Sequence, residues 1–326
     1  MSRKLRDSVV IITGASSGIG RATALAFARR GAWVVIAARR ESALNEVATE
    51  CQRSGGRAVP VTADVSDEAA VKNIARQAIE NFGRIDVWFN NAGVTLFGRF
   101  EETPPDAFRR VIETNLFGYI YGARAALPYF REQGGGVLIN NASYVATAGQ
   151  PYTSAYVLTK FAIRGLAECL RMELRGAKNI HVCTILPASI DTSIFQQAAN
   201  YTGRAVKPMW PVYPAEQVAE AIVACVENPE REVMVGNAGR MLNVLHAVAP
   251  ALHDAALARR VERDHFQDSP APSTAGNLFE PIMQETGISG GWRARQVSER
   301  GSVGLALAAA GSAFLAWLWW RNRAAA

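Results

Sequence analysis

The feature that most narrows the fold is an alternation of short, mostly apolar runs with longer stretches of helical periodicity. The apolar runs are residues 9–13, 33–38, 58–62, 85–90, 137–141, 180–186 and 232–235. Helical patterns at 21–30, 41–54, 68–82, 115–131 and 155–175 lie between most of them. A strand that is apolar on both sides must be covered on both faces, and strands joined by helices run parallel. The pattern predicts an α/β, doubly wound parallel sheet. No internal repeat interrupts it. With 326 residues, 49% of them hydrophobic, the chain can bury a large core.

A Gly-rich turn follows the first run: Thr13-Gly14-Ala15-Ser16-Ser17-Gly18-Ile19-Gly20, then a helix. Glycines there let the backbone turn sharply and approach a pyrophosphate, whose charge is met by free N–H groups and the helix dipole. The spacing is GxxxGxG, not GxGxxG. Gly14, Ser16, Ser17, Gly18, Ile19 and Gly20 are therefore candidate cofactor contacts, with a plain tight turn as the alternative.

Farther on, Tyr156 and Lys160 share one helix face at a spacing of four. A phenol with an ordinary pKa of ~10 is a poor base at neutral pH, and a close ammonium is expected to bring it down by ~2 to 3. Such a pair exchanges protons with an alcohol or a carbonyl. Taken alone, it is more often a solvated surface pair.

Together, Thr13-Gly14-x-x-x-Gly18-x-Gly20, Asn90-Asn91-Ala92-Gly93, Asn115, Ser143, Tyr156-x-x-x-Lys160 and Pro187 resemble, in this order and at these separations, the short-chain dehydrogenase/reductase family over residues 7–239. The resemblance implies a Rossmann-type sheet of about seven strands, a nicotinamide cofactor and hydride transfer between an alcohol and a carbonyl. It implies that Tyr156 is the general acid/base and that Lys160 lowers its pKa and binds the nicotinamide ribose. Ser143 would hydrogen-bond the substrate oxygen, and Asn115 would hold a relay water. By the same likeness Asp64 and Val65 approach the adenine, Asn91 and Gly93 form a cofactor-facing turn, and Asn90 ties the central sheet. Pro187, Ile190 and Thr192 fall on the nicotinamide side. Ala188 stands where the family carries a glycine that permits close backbone approach.

The end of the second run sets the choice of cofactor. A carboxylate there would accept from the ribose 2′-hydroxyl of NAD, but this chain has Ala38 followed by Arg39 and Arg40. A guanidinium binds a 2′-phosphate by charge-assisted hydrogen bonds, so NADP(H) is expected. The alternative is a solvated helix start in which the arginines pair with Glu41.

Two segments, 94–100 and 193–213, are expected to wall the substrate side with Leu96, Phe97, Phe195, Tyr201, Met209, Trp210 and Tyr213. Such a wall suits an apolar alcohol, ketone or aldehyde, or else is a packed lid. Beyond the catalytic domain at 1–240, residues 241–300 read as an extension: an amphipathic helix at 241–261, then an irregular extension or linker at 264–291.

Residues 303–320 carry no charge, end in Trp317, Trp319 and Trp320, and are followed by Arg321 and Arg323. A helix of that length reaches ~27 Å, close to the ~30 Å of a bilayer core, so 301–326 is expected to anchor the chain in a membrane. A buried terminal helix is the alternative. The run at 9–12 is too short for a signal-peptide core, which leaves the catalytic domain expected on the cytoplasmic side.

A net charge of +6 without a basic block argues against nucleic acid as partner. The four cysteines and four histidines have no metal-ligand spacing, so no metal is expected. A homo-oligomer is expected. Two other readings fit the same motifs: a silent dinucleotide-binding sensor or scaffold, and a non-redox lyase or epimerase.

Overall fold

The computed structural model describes residues 5–236, 248–284 and 286–295. Seven strands pair in parallel: β1 (Val9–Thr13), β2 (Trp33–Ala38), β3 (Arg57–Thr62), β4 (Val87–Asn90), β5 (Gly136–Asn141), β6 (Ile180–Pro187) and β7 (Glu232–Val235). Their order across the sheet is β7-β6-β5-β4-β1-β2-β3. β1 pairs with both β2 and β4, so the chain reverses direction across the sheet at β1. A crevice opens beyond the strand ends at such a switch point.

Side chains on a strand point alternately to its two faces, and both faces are covered here. Val10, Ile12, Val34 and Ile36 join a core with α1 (Gly18–Ala28), α2 (Glu41–Arg53) and α7 (Ala215–Glu227). Val9, Ile11, Val35 and Ala37 join a second core with α3 (Glu68–Phe82), α5 (Gly118–Glu132) and α6 (Ser154–Glu173). The predicted three-layer α/β arrangement is therefore present. Asn90 ties the sheet's centre as expected: its amide donates to Asn140 (3.0 Å) and to the Tyr119 carbonyl (3.2 Å), and its oxygen accepts from Trp88 (2.8 Å).

The helix expected at 115–131 is built differently. α4 (Pro105–Ile112) runs into a π-helical turn, Glu113–Phe117, and only then into α5. The wide turn holds Asn115, whose side chain is pulled out of the helix toward the main chain of Val94.

The helix expected at 241–261 is described from Pro250 as α8 (Pro250–Asp264); the first helical turn is where a missing N–H costs little. Its earlier part lies outside the described residues. Part of 264–291 pairs with the catalytic domain. Phe266–Pro270 pairs antiparallel with Arg204–Val206, and the compact unit that holds the sheet runs to Gly290. The expected membrane segment, 301–326, lies outside the described residues. Among the described residues no helix is long and apolar enough to cross a membrane.

Candidate active site

A cavity of about 310 Å³ opens at the strand ends. Its lining includes Gly14, Ser16, Ser17, Gly18 and Ile19 from the Gly-rich turn, then Arg39, Arg40, Asp64, Val65, Asn91 and Gly93, and finally Ser143, Tyr156, Lys160, Pro187, Ile190 and Thr192. Of the predicted site residues, only Gly20 and Asn115 do not line it.

Each departure has a cause. A Cβ on Gly20 would collide with the Gly14 carbonyl, so this glycine serves the close approach of α1 to the turn. Asn115 is fully buried; its oxygen accepts from the Val94 amide (2.8 Å) and its nitrogen donates to the Val94 carbonyl (2.9 Å) and Thr159 (3.3 Å). Both ends of that side chain are committed, and no contact joins it to Lys160 among the hydrogen bonds described. Its side chain thereby fixes the main chain of Val94 beside the cavity.

Tyr156 sits in the first turn of α6 and Lys160 in the next, while Ser143 follows the end of β5. Ser143 is close enough to the Tyr156 phenol to pull its pKa down. Lys160 is 3% exposed, and its ammonium donates to the Asn141 carbonyl (2.8 Å), which also accepts from Tyr119 (2.9 Å). Asn141 and Tyr119 thus position the lysine, a role that a strand-end residue and a helix aromatic do not reveal by sequence pattern.

The electrostatics correct one expectation. Part of the Tyr156 ring faces the cavity, yet burial pushes its pKa up to about 12 against the lowering effect of Ser143. Burial pushes Lys160 down to about 7. Desolvation penalises both charged forms, so the expected lowering of the phenol by Lys160 is not what sets its pKa.

The phosphate end fits a dinucleotide. Gly14 has φ +67°, and a Cβ there would come within 2.7 Å of the Ala92 backbone, so the turn stays open only with glycine. Asn91 braces it by donating to the carbonyls of Thr13 (2.9 Å) and Gly14 (3.2 Å). Ala188 is not among the described residues with positive φ, so its backbone conformation does not itself require glycine.

Arg39 and Arg40 are neither solvated nor paired with Glu41. Arg39 donates to the carbonyls of Asn277, Leu278 (3.2 Å) and Phe279 (3.1 Å). Arg40 donates to those of Ile282 and Gln284 (both 2.9 Å) and to the hydroxyls of Ser16 (3.0 Å) and Ser17 (3.1 Å). The strap continues to Gly287, whose carbonyl accepts from the Gly18 amide (3.0 Å), and to Ser289, which donates to Asp191 (2.7 Å). Asn277, Pro281 and Ile282 thereby become cavity wall. Burial opposes ionisation of Asp64, but the Ser66 amide and hydroxyl and the Arg110 guanidinium hold its carboxyl below the usual range.

On the substrate side Phe97, Phe195, Met209 and Trp210 line the cavity as expected. Leu96 and Tyr201 pack behind it, and Tyr213 packs against the core around α7. Tyr144, Leu257, Arg260 and His265 also line it; three of these come from beyond residue 240, where nothing in the sequence marked a site.

Residues 8–202 match the short chain dehydrogenase family. YxnA of Bacillus subtilis strain 168, an uncharacterized oxidoreductase, is 37% identical over 298 residues, covering 89% of this chain and 83% of YxnA. An alcohol dehydrogenase from the archaeon Thermococcus sibiricus, solved in complex with 5-hydroxy-NADP, is 29% identical with a TM-score of 0.63, covering 72% of this chain and 97% of its own. A 3-ketoacyl-ACP reductase from Sinorhizobium meliloti 1021 is 32% identical with a TM-score of 0.64, covering 70% and 96%. The chain belongs to the short chain dehydrogenase family, whose oxidoreductases bind a nicotinamide dinucleotide.

Proposed function

We propose that the chain is an NADP(H)-dependent oxidoreductase that interconverts an alcohol and a carbonyl on an apolar substrate. The observation that carries this reading is the meeting of Ser143, Tyr156 and Lys160 at one cavity that runs on to Arg39 and Arg40. The nicotinamide, when bound, supplies or accepts hydride at the substrate carbon. Tyr156, kept neutral by burial, donates its proton to the carbonyl oxygen in reduction and recovers it in oxidation. Ser143 hydrogen-bonds the same oxygen as charge gathers there. Lys160, anchored at Asn141, stabilises the phenolate that remains. Asn115 acts by positioning, because it fixes the Val94 backbone beside the cavity.

The 2′-phosphate reading rests on Ala38 in place of a carboxylate and on two guanidinium groups that keep their charge while strap carbonyls accept from them. The archaeal neighbour complexed with 5-hydroxy-NADP supports it. Asp64, Val65, Asn91, Gly93, Pro187, Ile190 and Thr192 complete the cofactor wall in this reading. The charge-free stretch at 303–320 anchors the chain in a membrane with the catalytic unit on the cytoplasmic side.

The test is NADPH and NADH oxidation over a panel of apolar ketones and aldehydes, with cofactor binding measured in parallel. Stoichiometric NADPH consumption supports the proposal. Binding without consumption across the panel favours the sensor or the lyase.

A further inference from the structure

The substrate side of the cavity carries a charge that its apolar wall does not call for. Among the described residues that line the cavity, the charged ones are Arg39, Arg40, Asp64, Lys160 and Arg260. Asp64 is the one carboxylate, and it is committed to Ser66 and Arg110 at the far end. Lys160 is held at Asn141. Arg260 therefore faces the apolar cleft with no lining carboxylate to balance it.

Its own partners leave the guanidinium charge only partly matched, by a carbonyl and a carboxylate shared with a neighbour. Arg260 donates to the Trp210 carbonyl, and its ion partner Asp264 lies 3.7 Å away, whereas Asp264 is 2.8 Å from Arg263. Glu262, the next carboxylate on α8, is taken by Arg204 (2.6 Å) and Tyr152 (2.8 Å). Tyr144, next to Ser143 in the chain, also lines the cavity, and its buried hydroxyl has no partner among the described residues. Burial pushes that phenol up to about 12, and the Arg260 charge pulls the other way. His265 is held neutral by burial, with its pKa pushed down to about 4 and Nδ1 at the Lys207 carbonyl. The positive charge thus rests on Arg260.

We propose that the substrate carries an anionic group, a carboxylate or a phosphate monoester, on its apolar body, and that Arg260 holds it while the carbonyl meets Tyr156. This rests on the alcohol/carbonyl reading above. A charge-assisted hydrogen bond in a partly dry site is expected to raise kcat/KM by about tenfold or more.

The full-length chain is assayed with NADPH on matched pairs: an oxo-fatty acid and its methyl ester, and an oxoalkyl phosphate and its dimethyl ester. The wild type is expected to favour the anion by about tenfold or more, and Arg260→Leu to bring the ratio to about one. Arg260→Lys should keep much of the preference, which a merely structural role for the arginine does not predict. Equal use of acid and ester by the wild type, or a preference that survives in Arg260→Leu, overturns the proposal. Turnover of no pair sinks the alcohol/carbonyl reading alone, because binding is read separately from the thermal shift given by decanoate, decyl phosphate and methyl decanoate with NADP+ present. Stabilisation by the anions that is lost in Arg260→Leu supports the proposal; stabilisation by none of them, or equally in the variant, overturns it. The stronger of decanoate and decyl phosphate identifies the head group.

Discussion

The ammonium nitrogen of Lys160 lies 5.2 Å from the centroid of the Tyr156 ring, one helical turn along α6. The phenol keeps its proton, with its pKa pushed up by burial to about 12, and enters the reaction as an acid. Removing its oxygen removes the proton donor and leaves the dinucleotide cradle in place. Tyr156→Phe is expected to lower kcat for carbonyl reduction by about 100- to 10,000-fold while NADPH affinity stays within a few fold. Steady-state kinetics with a fluorescence titration checks both; substantial remaining turnover removes the acid assignment.

Lys160 gives this site its pH dependence. Burial lowers its pKa to about 7, so the ammonium is present below that value and lost above it, while Tyr156 stays protonated across the same range. The reductive kcat should therefore fall as pH rises through about 7. The folding sign is opposite. Between the folded value of about 7 and the ordinary 10.5, the unfolded chain binds a proton that the folded chain does not, so this group's contribution to stability rises with pH across that window. Lys160→Met should lower kcat and remove both slopes, read from a pH–rate profile and from thermal melts between these limits. A wild-type pH–rate profile that is flat through neutrality contradicts the assignment.

Arg39 joins the cofactor end to the strap. Replacing it with aspartate puts a carboxylate where a 2′-phosphate would sit and removes three donors to the carbonyls of Asn277, Leu278 and Phe279. Arg39→Asp is expected to weaken NADPH by about tenfold or more relative to NADH, since a charge-assisted contact becomes repulsion. It should also lower the melting temperature of the cofactor-free chain. Equal effects on the two cofactors, measured by titration, would undo the NADP(H) reading.

The sheet and the reacting group were legible in the sequence because both rest on local, periodic signals. Val9–Ile12 and Trp33–Ala38 are apolar at every position, and their buried faces follow from that alone. Tyr156 and Lys160 stand one turn apart on any helix. The strap was not legible: it meets Arg39 and Arg40 through its main-chain carbonyls, which every residue type carries, so composition and periodicity are silent about it. Arg260 escaped for a related reason, since one arginine among several on α8 acquires meaning only when the helix lies against the cleft. The raised phenol pKa was missed because spacing reports that Tyr156 and Lys160 are neighbours but not that both are desolvated.

The catalytic unit and the expected anchor separate along the chain, which makes the membrane proposal testable without disturbing the site. The compact unit that holds every cavity-lining residue ends at Gly290, whereas the charge-free stretch is 303–320. An uncharged stretch of about 18 residues with Trp317, Trp319 and Trp320 at one end is expected to gain more from a bilayer and its interface than from water. Deleting 301–326 is therefore expected to move the chain from the membrane pellet to the supernatant and to abolish its flotation with liposomes. The melting temperature and NADPH affinity should stay close to those of the full chain. Unchanged fractionation of the truncated chain would show that the tail is not what holds it at the membrane.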